Sequence, residues 1–482
     1  MPSINKESVR EQFDKFKTEF AALKKSGKVP SETRILIKGL LMLMEIILVA
    51  FLEKVTKKDN KNSSTPSSQT DKDDSALGQP GSKGKGKKEN NQTANNTRTK
   101  KTVRRITVDT CDICGEDLSS VPSHQCERRT KIDIIFEKVV EHIELDVKEC
   151  PACNSTVKAK APKDMPGPLQ YGDGIKAYII NLLVCQMVAL KRVQNLVKSM
   201  MDCLIAEATM LKFISRLDQA LADWESSAVT ELLKAKAVNV DETSLRVDKK
   251  NHWIHTYSSG DITLKFLDRK RGTEAINDIN IIPRYKGTII HDCWASYLSY
   301  SGCRHGLCGS HLLRELTFIV DSNDYAWAKN MKKLLQRTCK AVSQGKNKKL
   351  SDDAYAKLQK CYRNILTRGE KELPIIPPKP KGKRGKVAKT DAHNLWKRLK
   401  EHESAVLLFA KNPYVSFTNN RAERDLRMAK VKQKISGCFR AELYAKAYCR
   451  ISSYLQTMAN KGYNPLIAIQ IALAGKINDP LQ

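Results

Sequence analysis

At residue 238 the chain changes period. Residues 238–247 alternate apolar and polar side chains, as do 253–257 and 262–267, the pattern of strands with one face buried. A short helix is predicted over 273–279, an apolar strand ending in an acid over 287–292, a further strand over 305–308 and a long helix over 309–335. Three strands of antiparallel type, then helices and strands in alternation, predict the α/β class with a ribonuclease-H-like core. Two acids mark this region: Asp241 inside the first strand and Asp292 at the end of the fourth. Neighbouring parallel strands would set them side by side.

A third acid comes from the stretch 417–430. Asn419 and Asn420 stand where helix caps stand, and Ala422, Leu426 and Ala429 fall on one helical face. Glu423, Arg427, Lys430 and Lys434 gather on one flank of that stripe, with Asp425 on the other. Taken alone, this is also the pattern of a solvated helix with ordinary ion pairs. With Asp241 and Asp292 it becomes a set of three oxygen donors, which suits magnesium or manganese. Two such ions can clamp the attacking and leaving oxygens of an in-line phosphoryl displacement. Burying three acids together without cations would be costly, and a metal accounts for them. Glu242, Asp248 and Asp425 are the neighbouring acids that need no such role. Between the sheet and this stretch lie a helical segment (352–366) and a loop (374–390) with six cations, Lys383 and Arg384 among them, and no acid before residue 391. That loop is either a plain insertion or a phosphate clamp.

The flanks widen the picture. A chain of 482 residues suggests roughly three domains. Its 84 Lys and Arg against 53 Asp and Glu give a formal charge of +31, which points to a polyanionic partner, most often nucleic acid. Val9, Phe13, Phe16, Phe20 and Leu23 have coiled-coil spacing, and residues 35–52 are almost continuously apolar. Lys38 and Glu45 interrupt that run, so helix pairing is preferred to a membrane span. Residues 53–107 read as a flexible basic linker, with 14 basic against 6 acidic side chains over 53–105. No secretory leader is evident, so the 14 cysteines are expected to be reduced and their clusters read as metal sites. Cys111, Cys114, Cys150 and Cys153 form two Cys-x-x-Cys pairs that suit structural zinc, with a hairpin expected over 132–147 and His124, Cys126 and His142 as alternative ligands. Residues 192–198 and 207–216 are candidates for a helix-turn-helix carrying Lys212 and Arg216, or for an ordinary packed hairpin.

Three motifs carry a family resemblance: Val240-Asp241-Glu242-Thr243, the run His291-Asp292-Cys293-Trp294-Ala295-Ser296-Tyr297, and the run from Asn419 to Arg427. Together they resemble the acid-bearing motifs of the insertion sequence sixty-six family of bacterial DDE transposases. Residues 305–315 and 432–440 are similar to segments of that family as well. The resemblance implies a metal triad of Asp241, Asp292 and Glu423. It also places Arg246, Arg269 and Arg271 near the scissile phosphate, and Cys308-x-x-His311 after the second acid. The expected layout is a helical N-terminal segment (1–52), the linker, a zinc-ribbon-like module (108–160), a helical domain (168–232), a catalytic domain (236–438) with a helical insertion about 312–415, and C-terminal helices (439–482). The expected activity is cleavage at the ends of a mobile element and joining of the 3′-OH to target DNA. Expected partners are those DNA ends, target DNA, a second copy of the chain in a dimer or larger assembly, and accessory proteins of the element. No membrane partner is expected, and the location is the bacterial cytoplasm, at the nucleoid. Two rival readings are a zinc-dependent DNA-binding regulator with an idle core and a structure-selective nuclease.

Overall fold

The computed structural model describes residues 103–125, 127–132, 137–376 and 389–477, with residues 15, 16, 18–20, 22, 37 and 41 near the start. The expected coiled coil and linker, Cys126, Lys383 and Arg384 lie largely or wholly outside them. No helix among the described residues is long and apolar enough to cross a membrane. Two compact units emerge: residues 310–341 with 352–402, and residues 103–309 with 342–351 and 403–477.

The larger unit is built on a five-stranded mixed sheet. Its strands are β3 (Ala237–Val247), β4 (Lys250–Ser259), β5 (Ile262–Asp268), β6 (Thr288–His291) and β7 (Arg304–Leu307), after a small hairpin of β1 (Val147–Glu149) and β2 (Thr156–Lys158). The spatial order is β5-β4-β3-β6-β7. The β3–β4 and β4–β5 pairs are antiparallel, and β6 and β7 join in parallel. Asp248 and Lys249 both take positive φ, 46° and 61°, and close the first hairpin in two residues. Each strand predicted between residues 238 and 308 is present, within a few residues of its expected ends.

Alternation along β3 gives the sheet two buried faces. Val238 and Val240 pack with Tyr257, Leu264, Ile289, Tyr285 and, from the short α6 (Ala295–Leu298), Tyr297 against α4 (Ala222–Leu233) and α5 (Thr273–Ile279). Leu245 and Val247 join Ile254 and Leu267 in a second core. That core is completed by α1 (Asp173–Ile180), α2 (Leu190–Met201), α3 (Glu207–Ala220) and three later helices. Each large side chain so buried stabilises by about 1.5–3 kcal/mol. The edge strand β5 is sealed by side chains from one of those later helices, α13 (Glu442–Asn460). Its Ser453 and Thr457 hydroxyls accept the N–H groups of Lys265 and Thr263 at 2.8 and 3.1 Å. An edge whose donors are taken offers no template to another chain.

The smaller unit is helical. The single helix predicted over 309–335 is two, α7 (Gly309–Asn323) and α8 (Ala326–Gln344), because Asp324 takes φ 50° and breaks the ladder. α9 (Asp352–Glu372) and α10 (Asp391–Glu401) complete it. The Tyr362 hydroxyl donates to the Leu399 carbonyl and Trp396 Nε1 to that of Leu366, both at 2.8 Å. Gly369 lets α9 approach Trp327, whose ring atoms a Cβ would meet at 2.7 Å.

Candidate active site

The register of β3 against β6 decides where the first two acids fall. Val238 pairs with Ile289 and Asn239 with Ile290, so two residues further on Asp241 stands level with Asp292. Strand β6 has by then ended, and Cys293 turns the chain sharply with φ 72°. Asp292 Oδ1 accepts the N–H of Trp294 at 3.0 Å, and Asp241 Oδ1 accepts that of Glu242 at 2.9 Å. Before the turn, His291 is fully buried. Its Nδ1 accepts the N–H of Cys293 at 3.1 Å, so Nε2 carries the proton and donates to His305 Nδ1 at 3.1 Å; His305 Nε2 in turn donates to the Tyr300 carbonyl at 2.8 Å.

Glu423 arrives on α12 (Asn420–Ser436), which follows α11 (Glu403–Lys411). The backbone before α12 docks on the end of β7: Gly309 N–H donates to the Phe417 carbonyl at 2.7 Å, and a Cβ on Gly309 would strike the Phe417 ring. Asn419 was expected to cap α12, but its side chain makes no cap bond. Instead it is buried against β3. Its amide donates to the Val240 carbonyl and its oxygen accepts from Asn239, both at 2.8 Å, while its own N–H donates to Cys308 Sγ at 3.2 Å. Asn419 thus pins the start of α12 beside the strand that carries Asp241, and Glu423 follows one helical turn later, its N–H on the Asn419 carbonyl. Helix propensity alone could not reveal this.

The three acids share one electrostatic neighbourhood. Removal from water pushes the Asp241 carboxyl well above the usual carboxylate range, and the charges of Glu242, Asp292 and Glu423 push it further. Their oxygens do not all lie within 4.8 Å of one another. The donor set still fits a hard divalent cation: all-oxygen, anionic, and penalised for its own repulsion until a positive charge enters.

The neighbouring charges divide sharply. Arg246, Arg427 and Lys434 are exposed, and so are Lys212 and Arg216 on α3. Lys430 is tied to the Ser244 carbonyl and hydroxyl, each at 3.1 Å. Arg269 is held by Glu442 at 2.8 Å. Arg271, expected at the phosphate, is bound to Glu242 at 2.7 Å. Asp425 is 3% exposed and accepts from Ser258, Thr263 and Arg421 at 2.7, 3.0 and 3.2 Å, so it anchors α12 to β4 and β5. Asp248 belongs to the β3–β4 turn.

The profile of the Transposase IS66 family matches residues 168–447, more than half of the chain and all of the acid-bearing elements. The chain belongs to the IS66 transposase family. Membership implies the use of divalent metal and of DNA, and it covers the mixed sheet with the helices on either side of it. A search of curated proteins returned no match.

N-terminal to the part covered by the IS66 match, the four paired cysteines form two turns of the same design. In each, the first Cys donates its N–H to the carbonyl five residues on and accepts from the N–H four residues on: Cys111 with Glu116 and Gly115, Cys150 with Ser155 and Asn154. Gly115 and Asn154 take φ 78° and 54°. Strand pairing closes both, Thr110 with Asp117 and Glu149 with Thr156. The expected hairpin over 132–147 is not formed among the described residues; the pairing wraps each Cys turn instead. The four thiols do not come within 4.8 Å of one another as a set.

Proposed function

We propose that this chain is a DNA transposase that binds the ends of its mobile element, cleaves there and joins the 3′-OH to target DNA. The observation that carries the reading is the level register of Asp241 and Asp292 on parallel strands, with the Glu423 helix pinned to the same strand by Asn419. Two magnesium or manganese ions would supply Lewis-acid charge to the attacking and leaving oxygens. Asp241, Asp292 and Glu423 would hold them. The strand order, three antiparallel strands with two parallel ones added on the β3 side, supports a ribonuclease-H-like core. Of the cations expected at DNA, the exposed Arg246, Arg427 and Lys434 would meet phosphates, and Lys383 and Arg384 complete the proposed contacts. The twin Cys turns support a structural zinc at Cys111, Cys114, Cys150 and Cys153. Joining two element ends calls for at least two copies of the chain.

The test is a magnesium-dependent reaction on DNA carrying the element's ends, with a target plasmid present. Strand-transfer products are expected from the natural chain. Asp292→Ala should lower cleavage by at least a thousandfold while sparing end binding. Unchanged cutting in that variant would sink the triad, and cutting without any joined product would make the chain a nuclease.

A further inference from the structure

Beneath the acids, on the opposite face of β3, lies a group of side chains that the reaction as described does not use. Strand alternation turns Glu242 away from Asp241 and onto the face of Val238, Val240 and Tyr297, where its side chain is 1% exposed. Both carboxylate oxygens are engaged. Oε1 accepts from Arg271 Nε and Nη2 at 2.9 and 2.7 Å, and Oε2 accepts from the Tyr297 hydroxyl at 2.6 Å. The Arg271 guanidinium lies over two indoles, 4.8 Å from the Trp253 ring and 4.5 Å from the Trp294 ring. Trp294 in turn packs edge-on against Tyr297. The guanidinium is therefore fixed by a fork of hydrogen bonds and by two aromatic faces, a geometry lysine cannot reproduce.

This cluster touches both aspartates through backbone. The N–H of Glu242 donates to Asp241 Oδ1, and the N–H of Trp294 donates to Asp292 Oδ1. One side of the ion pair thus belongs to the residue that orients the first acid, and the other side stacks on the residue that orients the second. We propose that the Glu242–Arg271 pair, locked by Tyr297, Trp253 and Trp294, is a positioning device that sets the separation of Asp241 and Asp292 for divalent metal. Arg271 acts through Trp294 and does not contact DNA. The proposal rests on the metal-dependent reading above and deepens it. It also gives a reason for an acid next to a catalytic one: Glu242 holds the Arg271 charge on the far side of the strand, where it cannot bridge the metal acids.

The experiment uses the full chain and three measurements: Mn2+ affinity by direct titration, single-turnover cleavage of end DNA, and end-DNA affinity with its salt dependence. Arg271→Ala is expected to weaken Mn2+ binding about tenfold and to slow cleavage roughly 10- to 100-fold, the usual range for a group behind a metal ligand. DNA affinity and its salt slope should stay within about twofold of the natural values. Arg271→Lys should not rescue either loss. Tyr297→Phe removes one hydrogen bond and keeps the ring, so it reports even if Arg271→Ala melts early; about a threefold loss of Mn2+ affinity is expected. A fall in DNA affinity with a shallower salt slope, restored by lysine, would overturn the proposal and make Arg271 a phosphate contact. Unchanged Mn2+ affinity and cleavage in Arg271→Ala and Tyr297→Phe would overturn it too. Failure of the underlying reading looks different: the natural chain would then show no Mn2+ binding that Asp292→Ala removes.

Discussion

The sheet and the segment bearing the twin Cys turns hold their shapes by opposite means. In the sheet, Leu245, Ile254 and Ile289 are fully buried, and every strand packs on a neighbour or a helix. In the Cys segment Ile113, Ile132 and Val139 are 97%, 91% and 87% exposed. Among the described residues, turn hydrogen bonds, a hairpin of three-residue strands and a few exposed side-chain ties give that segment order. A two-stranded ribbon of that size is marginal in water. Burial stabilises the first region, whereas on the proposed reading a structural zinc would stabilise the second. The buried region carries its acids within a packed core, and the exposed one would depend on that metal.

The largest test of that contrast is removal of metal. A strong chelator, or Cys150→Ser, is expected to abolish amide-exchange protection across the twin turns and leave β3 to β5 protected, since structural zinc contributes about 10 kcal/mol in comparable small modules. Protection in the turns that survives both treatments would break the comparison. Next in size is Asp425→Ala. It leaves Arg421 and the Ser258 and Thr263 hydroxyls without their buried acceptor and should cost about 3 kcal/mol in thermal or denaturant melts. A cost below about 1 kcal/mol would show that α12 is held by its apolar face alone. In the metal-free chain Asp241→Asn should act in the other direction. Its carboxyl is raised in the folded state, so the ionised form opposes folding, and that cost sets in as pH rises through the unfolded value toward the folded one. The variant should gain on the order of 1 kcal/mol at neutral pH and nothing below about pH 4.

How much of this was legible beforehand follows the same division. Period two and apolar runs revealed all five strands of the sheet and put Asp241 and Asp292 where the register later placed them, because burial on two faces writes itself into sequence. The Glu423 helix was legible from Ala422, Leu426 and Ala429. Its attachment was not: an Asn before a helix reads as a cap whether it binds its own helix or a strand 180 positions away. Arg271 and Glu242 were read separately, as a phosphate contact and a bystander, since only tertiary structure joins residues 29 apart through two indoles. The break at Asp324 left the helical period of 309–335 undisturbed. The apolar residues of 132–147 resembled a hairpin because alternation marks a face that wants burial, not a partner that supplies it.

The smallest effect belongs to the rim of the sheet, where burial is incomplete and charge does the holding. Glu442 at the start of α13 accepts from Lys446 first and Arg269 second, and these pull its carboxyl down to about 2. An acid lowered on folding stabilises the native state at pH above its unfolded value, near 4.3, and that contribution is lost as pH falls through the folded one. Arg269 is 75% exposed, so solvent and salt screen most of the tie, and Glu442→Gln should cost at most about 1 kcal/mol at neutral pH. The cost should shrink in 1 M salt and vanish near pH 2. If instead it exceeded about 2 kcal/mol and ignored salt, the rim would be governed by buried electrostatics, and the line between the two kinds of region would have to be drawn outside α13.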